Sequence, residues 1–350
     1  MGRKLRVLVV DDSAFMRSAV SRMLSSDERF DVVGQAADGN AAVKLAAELS
    51  PDVITMDFNM PGLNGADATR AILSARAVPI VMLSAHTKEG ASATVEALAA
   101  GALDFVEKPA GEVSVNLSSI RDELTSKLVS AAGANVAPAL APPSLAASEP
   151  SSRPARAHKP MPAGLRVVVI ASSTGGPAAL VQLVPTLALE RHAVLVVVQH
   201  LAAGFTGALA EQLAERAGFP IHEATDGEEL RAGRGLVAPG GSHLLIERSG
   251  RVTLSSAEPV HGVRPAADVT LKSAALAYGP RTVGVVLTGM GRDGATGLAA
   301  VKAAGGRTIA QDRASSTVYG MPKAAAELGV VDDVLPLYRI GRAVSKLVSD

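Results

Sequence analysis

The sequence predicts an α/β protein of two domains, each built on a mainly parallel sheet covered by helices, with an extended tether between them. Three observations carry this. Short apolar runs alternate with Ala-rich helical patterns over residues 5–130, the order expected of βα units. The alternation stops across 130–163, where proline, alanine and serine dominate, and resumes at Leu165. A chain of 350 residues is also longer than one average domain. The expected divisions are 1–129, 130–163 and 164–350.

Composition narrows the function classes. Lys+Arg and Asp+Glu balance at 34 each, so no global charge favours nucleic acid or an acidic membrane surface. The absence of cysteine excludes disulfides, thiolate catalysis and cysteine-ligated zinc, and is compatible with the cytoplasm. No apolar run approaches the ~20 residues that span a bilayer. The strand pattern that starts at Leu5 leaves no signal-peptide architecture. A cytoplasmic protein without membrane insertion is expected.

In the first domain the apolar runs are Val7–Val10, Val32–Gly34, Val53–Met56, Ile80–Leu83 and Leu103–Val106. Helices are expected near 14–25, 39–49, 65–75, 89–100 and 114–130. Five such units predict a doubly wound parallel sheet, whose chemistry gathers at the carboxyl ends of the strands. Asp11 and Asp12 close the first run, Asp57 the third, Ser84 the fourth, and Lys108 with Pro109 the fifth. Three converging carboxylates repel one another unless a divalent cation offsets them, and hard oxygen ligands favour magnesium. Lys108 supplies a fixed positive charge for an anionic group carried by Asp57, and a carboxylate can attack phosphorus. Taken singly, Asp11 could be a helix cap and Lys108 a solvated strand-end charge.

These residues sit in VVDDS (Val9–Ser13), DVITMDFNMPGLNG (Asp52–Gly65), LSAHT (Leu83–Thr87) and DFVEKP (Asp104–Pro109). There the domain resembles the response-regulator receiver family. The resemblance implies that Asp57 is the phosphoacceptor, served by a chemotaxis histidine kinase as phosphodonor. It further implies that Asp11, Asp12, Asp57 and the backbone carbonyl of Asn59 hold Mg2+. By the same resemblance Ser84 and Lys108 contact the phosphoryl group, and Phe105 stands at the position of an aromatic switch.

The tether has no apolar periodicity and cannot bury enough surface to offset its ordering entropy. Semi-extended, polyproline-like chain is expected there. His158 is accordingly discounted as a catalytic group, and Arg153, Arg156 and Lys159 read as solvated charges.

The second domain opens on LRVVVIASSTGGP (Leu165–Pro177), a strand, a turn of small residues and a helix start marked by proline. Such a turn lifts a hydroxyl above the sheet edge beside N–H groups that favour negative charge. It could equally be a phosphate-binding or merely tight turn. Further runs lie at Val194–Val198, Gly235–Ala238, Leu244–Ile246 and Thr282–Leu287, with helical patterns at 177–187, 206–218, 268–278, 295–304 and 322–328. A mostly parallel sheet with an antiparallel part is expected. Ser172 and Ser173 follow the first run, Gln199 and His200 the second, and TGMGRDGA (Thr288–Ala295) the last. Serine, histidine and Asp293 are the three groups that nucleophilic acyl transfer requires. His243, and less so His192, His222 and His261, are rival bases; Asp226, Asp268 and Asp312 are rival carboxylates. No His/Asp cluster shows ligand spacing along the sequence, so hydrolysis without a metal is expected.

ASSTGGP (Ala171–Pro177), QHLAAGFT (Gln199–Thr206), VAPGGSHL (Val237–Leu244), RPAADVTLKSAA (Arg264–Ala275), LTGMGRDGA (Leu287–Ala295) and AQDRASSTVYGMPKAA (Ala310–Ala325) together resemble chemotaxis protein-glutamate methylesterases. That resemblance implies Ser173 as nucleophile, His200 as base and Asp293 as orienting carboxylate. It also implies the Met290 N–H as oxyanion donor and Thr174 as part of the site lining. The implied substrates are glutamate methyl esters, and some glutamines, on methyl-accepting chemoreceptors. The implied regulation is a receiver that covers the Ser173 edge until Asp57 is phosphorylated. Two departures from the family pattern are Ser172, where many relatives carry alanine, and Ala202-Ala203, where relatives often carry a proline. Two rival classes remain. A receiver-driven binding module would tolerate Ser173→Ala, and a dinucleotide-binding turn would need G-x-G-x-x-G rather than Gly175-Gly176.

Overall fold

The five apolar runs of the first unit become β1 (Leu5–Val10), β2 (Phe30–Ala36), β3 (Val53–Asp57), β4 (Ile80–Ser84) and β5 (Asp104–Glu107). They pair in the order β2-β1-β3-β4-β5, every pairing parallel. This is the doubly wound sheet read from the sequence, with its switch point between β1 and β3. β3 and β4 are buried along their whole length, because helices cover both faces; hence the continuous apolar runs. Ser13, Asp38 and Asn64 cap α1 (Ala14–Ser25), α2 (Gly39–Leu49) and α3 (Gly65–Ala75) by accepting a first-turn N–H. α4 (Lys88–Ala99) and α5 (Ser118–Ala132) complete the unit. α5 continues to Ala132, so a boundary at 129 cuts a helix.

The computed structural model describes residues 3–84, 88–108, 118–136, 164–189 and 192–349. Residues 85–87 of the LSAHT motif, Pro109, residues 114–117 of the expected fifth helix, and tether residues 137–163 with Arg153, Arg156, His158 and Lys159 lie outside them. Among the described residues, no helix is long and apolar enough to cross a membrane.

The second unit carries β6 (Arg166–Ser172), β7 (Ala193–Gln199), β8 (Ile221–Glu223), β9 (Gly235–Val237), β10 (His243–Ile246), β11 (Val252–Ser255), β12 (Thr282–Val286), β13 (Arg307–Gln311) and β14 (Asp333–Leu335). Seven of these form an all-parallel sheet in the order β14-β13-β12-β6-β7-β9-β8. The antiparallel part is a separate ribbon of β10 and β11. The expected helices are present as Gly176–Leu183, Phe205–Ala214, Ala267–Tyr278, Ala295–Ala303 and Met321–Glu327. Val167, Val169, Val196, Val198, Leu271 and Leu298 are fully buried between sheet and helices.

β11 falls within the expected antiparallel part, whereas β8, β13, β14 and the last helix, Leu337–Ser349, go beyond the elements the apolar runs predict. β8 and β14 have only three residues, too few for any period to show. The last helix does carry its signal: Leu337, Ile340, Gly341, Val344 and Val348 are buried at the spacing of one helical face. Buried Arg166 docks that helix to β6 by donating from Nη1 to the Val348 carbonyl at 2.8 Å. The strand order sets β12, β6 and β7 side by side at the centre, and their carboxyl ends open onto one edge.

Candidate active site

Two constellations form, one in each unit. In the first, Asp11 and Asp57 are buried and Asp12 is exposed, and one oxygen from each lies within 4.8 Å of the others. Lys108 Nζ bridges Asp11 Oδ2 at 2.8 Å and Asp57 Oδ2 at 2.9 Å. Asp11 Oδ1 accepts the Ser13 N–H at 2.9 Å, whereas buried Oδ2 has no donor beyond the Lys108 ion pair. Burial pushes the Asp57 carboxyl up to about 6, with Lys108 opposing and Asp11 and Asp12 adding to the rise. Burial works against the Lys108 charge too, yet Asp57 and Asp11 hold its ammonium above the ordinary value. Hard oxygens in excess of the local positive charge suit a divalent cation. Asn59 is exposed two residues beyond Asp57, and its carbonyl takes no backbone hydrogen bond among the described residues.

Ser84 Oγ lies 2.5 Å from Thr94 Oγ1 and 3.3 Å from the Gly90 carbonyl, so this hydroxyl is engaged with α4. Phe105 is buried, with the Lys127 ammonium 5.2 Å above its ring.

A pH effect follows from Asp57. A carboxyl whose folded value lies above its unfolded one binds its proton more tightly when folded, so stability falls as pH rises through that interval. For Asp57 the interval runs from 3.8 to about 6. Calorimetry of the full chain should therefore show Mg2+ raising the thermal midpoint of the receiver transition more at neutral pH than at about pH 4. Equal shifts at both pH values would contradict this.

In the second unit the turn after β6 presents Ser173 half-buried while Ser172 is sealed in. The Ser172 hydroxyl donates to Gln199 Oε1 at 2.6 Å, and Gln199 Nε2 donates to the Ser173 carbonyl at 2.9 Å. The two hydroxyls differ in their partners: Ser172 is bonded within the core, whereas Ser173 Oγ has no partner among the described residues. Gly175 adopts φ 76°, and a Cβ there would meet Thr317 at 2.7 Å, so the turn needs glycine. A Cβ on Gly289 would lie 2.8 Å from Ser173 Cβ, which sets the Thr288–Gly291 backbone directly against the candidate nucleophile. The Ser173 N–H donates to the Thr288 carbonyl at 3.0 Å, and Thr288 Oγ1 donates to the Thr174 carbonyl at 3.0 Å. Thr174 itself is buried. The Met290 N–H donates to none of the described residues, although its side chain is 50% exposed. That leaves a free donor one residue beyond Gly289, which abuts Ser173.

His200 follows β7, and its Nε2 lies 2.7 Å from Asp293 Oδ2. The ring thus turns Nε2 to the carboxylate and keeps Nδ1 for a proton, the reverse of the arrangement in which Nδ1 faces the aspartate. Asp293 is cradled by backbone. Oδ2 accepts the Ala267 N–H at 2.6 Å, and Oδ1 accepts those of Asp268 at 2.9 Å and Gly294 at 3.0 Å. Burial alone would raise this carboxyl, but the His200 hydrogen bond and charge and the Asp268 and Ala267 N–H groups hold it below its ordinary value.

The alternative histidines and carboxylates have partners of their own. His243 accepts the Ala266 N–H on Nδ1 at 3.1 Å and donates from Nε2 to the Glu258 carbonyl at 3.1 Å, so both nitrogens are used. His222 pairs with Glu228, His261 with Asp268, and His192 is exposed. Asp226 accepts the Leu254 N–H and Asp312 that of Ser315. One expectation fails in space. His261, Asp268 and Asp293 do bring one donor atom each within 4.8 Å. Their carboxylate oxygens each accept N–H or O–H donors at 2.6 to 3.0 Å, so the pair is already engaged by the protein's own donors. Sequence reasoning missed Gln199 and the Ala267-Asp268 cradle as supports of the site.

The family model described as CheB methylesterase matches residues 168–344, and that of the response regulator receiver domain matches residues 7–116. The chain belongs to the CheB methylesterase family. It is 46% identical to the protein-glutamate methylesterase/protein-glutamine glutaminase of Symbiobacterium thermophilum, covering 99% of this chain and 98% of the relative. The protein of the same name from Thermotoga maritima is 42% identical, with 99% of both chains covered. A crystal structure of the Thermotoga maritima CheB methylesterase catalytic domain superposes with a TM-score of 0.51 at 43% identity, over 53% of this chain and all of that one. This CheB-family chain therefore joins a receiver domain to an α/β hydrolase domain.

Proposed function

We propose that the chain is a phosphorylation-regulated protein-glutamate methylesterase of chemotaxis adaptation, working in the cytoplasm. It hydrolyses glutamate methyl esters on methyl-accepting chemoreceptors and deamidates glutamines with the same groups. The observation that carries this reading is the 2.7 Å His200–Asp293 pair set beside the free Ser173 hydroxyl at the central strand ends. Ser173 Oγ attacks the ester carbonyl while His200 takes its proton on Nδ1. The developing oxyanion meets the Met290 N–H, a preorganised donor of the kind that contributes most in such sites. Thr174 closes the turn beneath it. The imidazolium then protonates the poor methoxide leaving group, methanol departs, and water hydrolyses the acyl-enzyme with His200 again as base. With a glutamine the leaving group is ammonia.

In the receiver, Asp57 accepts the phosphoryl group from a chemotaxis histidine kinase, and Lys108 and Ser84 contact it. Asp11, Asp12, Asp57 and the Asn59 carbonyl would hold Mg2+, which when bound offsets charge on the transferring phosphoryl. Mass spectrometry of receptor peptides after incubation tests the substrate class: conversion of glutamyl methyl ester and of glutamine to glutamate is expected, and unchanged peptides would sink the reading. Asp57→Asn should make the rates with and without a small-molecule phosphodonor coincide. Stimulation equal to wild type would place the control elsewhere.

A further inference from the structure

Two helices begin at the candidate site, and each receives the other's carboxylate. Neither Ala266 nor Gly294, the residues that precede them, supplies a side-chain cap. Asp293, just before helix Ala295–Ala303, accepts the first two N–H groups of helix Ala267–Tyr278. Asp268, in the first turn of that second helix, accepts the Gly297 N–H on Oδ1 at 2.6 Å and the Thr296 hydroxyl on Oδ2 at 2.7 Å. Each carboxylate also holds an imidazole. Asp293 Oδ2 faces His200 Nε2 at 2.7 Å, and Asp268 Oδ2 faces His261 Nε2 at 3.0 Å. Asp268 is 1% exposed and Asp293 2%. Two buried carboxylates this close repel, and the N–H groups of two helix starts compensate.

His261 has given something up to be there. It and Gly262 are the central residues of a tight turn closed by the Val260–Val263 bridge, with φ of 56° and 77°. Such a turn favours Asn-Gly, and a larger side chain at positive φ is strained. The imidazole gains the buried Asp268 in exchange.

We propose that Asp268, held by His261, is the positioning residue of the catalytic carboxylate: the crossed caps fix Asp293 so that Oδ2 stays aimed at His200. The proposal rests on the Ser173–His200–Asp293 reading above. Displacing Asp293 tilts the imidazole and misplaces Nδ1 against Ser173.

The test is methanol release by the full-length, phosphodonor-activated enzyme. Asp268→Asn can still accept the Gly297 N–H while losing the charge. A fall in kcat of roughly ten- to a hundredfold with KM nearly unchanged is expected, the size of a sub-ångström to ångström misplacement. His261→Asn keeps a residue suited to the turn but takes one donor from Asp268 Oδ2, so kcat should fall roughly threefold with KM nearly unchanged. A histidine with a purely structural role would shift the thermal midpoint and leave kcat unchanged. Wild-type kcat in Asp268→Asn, a loss carried by KM instead of kcat, or wild-type kcat in His261→Asn overturns the proposal. If Ser173→Ala and Asp293→Asn also keep wild-type rates, the underlying triad is overturned with it.

Discussion

Ser173→Ala is expected to abolish methanol release, with a loss in kcat of about 10⁴-fold or more, because no other group at the edge can form the acyl-enzyme. The neighbouring serine does not rescue it. Ser172 is fully buried and its hydroxyl is spent on Gln199 Oε1, so it cannot reach a substrate without dismantling that bond. Ser172→Ala should show the opposite profile. It leaves Gln199 Oε1 without its donor, at a cost of about 1–3 kcal/mol in stability, and keeps most of the activity. Thermal unfolding and steady-state kinetics on both variants separate the two roles. Loss of activity in Ser172→Ala with retention in Ser173→Ala would reverse the choice of nucleophile.

Asp293→Asn comes next in size, with an expected loss in kcat of about 10⁴-fold from the wrong imidazole tautomer. Every orientation of the amide is unfavourable. Oδ2 accepts from His200 and Ala267, and Oδ1 from Asp268 and Gly294, so the new NH2 group must face N–H donors on either side. A stability loss of about 1–3 kcal/mol should accompany the loss of rate. Circular dichroism at the assay temperature shows whether the variant remains folded. A folded Asp293→Asn with wild-type kcat would remove Asp293 from the mechanism.

What the sequence made legible is what lies immediately after a strand. Asp57, Lys108, Ser173 and His200 each end or follow an apolar run, and a parallel sheet brings such positions to one edge whatever the loops do. The first-domain elements were recovered because five continuous runs alternate with capped helices. What stayed hidden is set by contacts between distant segments. Nothing in periodicity distinguishes His200 from His243; only the Ala266 N–H and the Glu258 carbonyl, which occupy both His243 nitrogens, do so. The cradle of Asp293 comes from backbone 25 and 26 residues away, and backbone donors leave no mark on residue type. The pairing of His261 with Asp268 was invisible for the same reason, since a lone histidine in a turn reads as solvated. The helix Leu337–Ser349 is a different case. Its one-sided apolar spacing is present in the sequence itself.

Methanol release from methyl-labelled receptor membranes, measured with and without phosphodonor and Mg2+, decides most directly whether the two domains form one regulated esterase. Release that rises with phosphodonor and vanishes in Ser173→Ala is the predicted result. No release under any condition, or release indifferent to Ser173→Ala, would contradict it and leave the second domain a binding module.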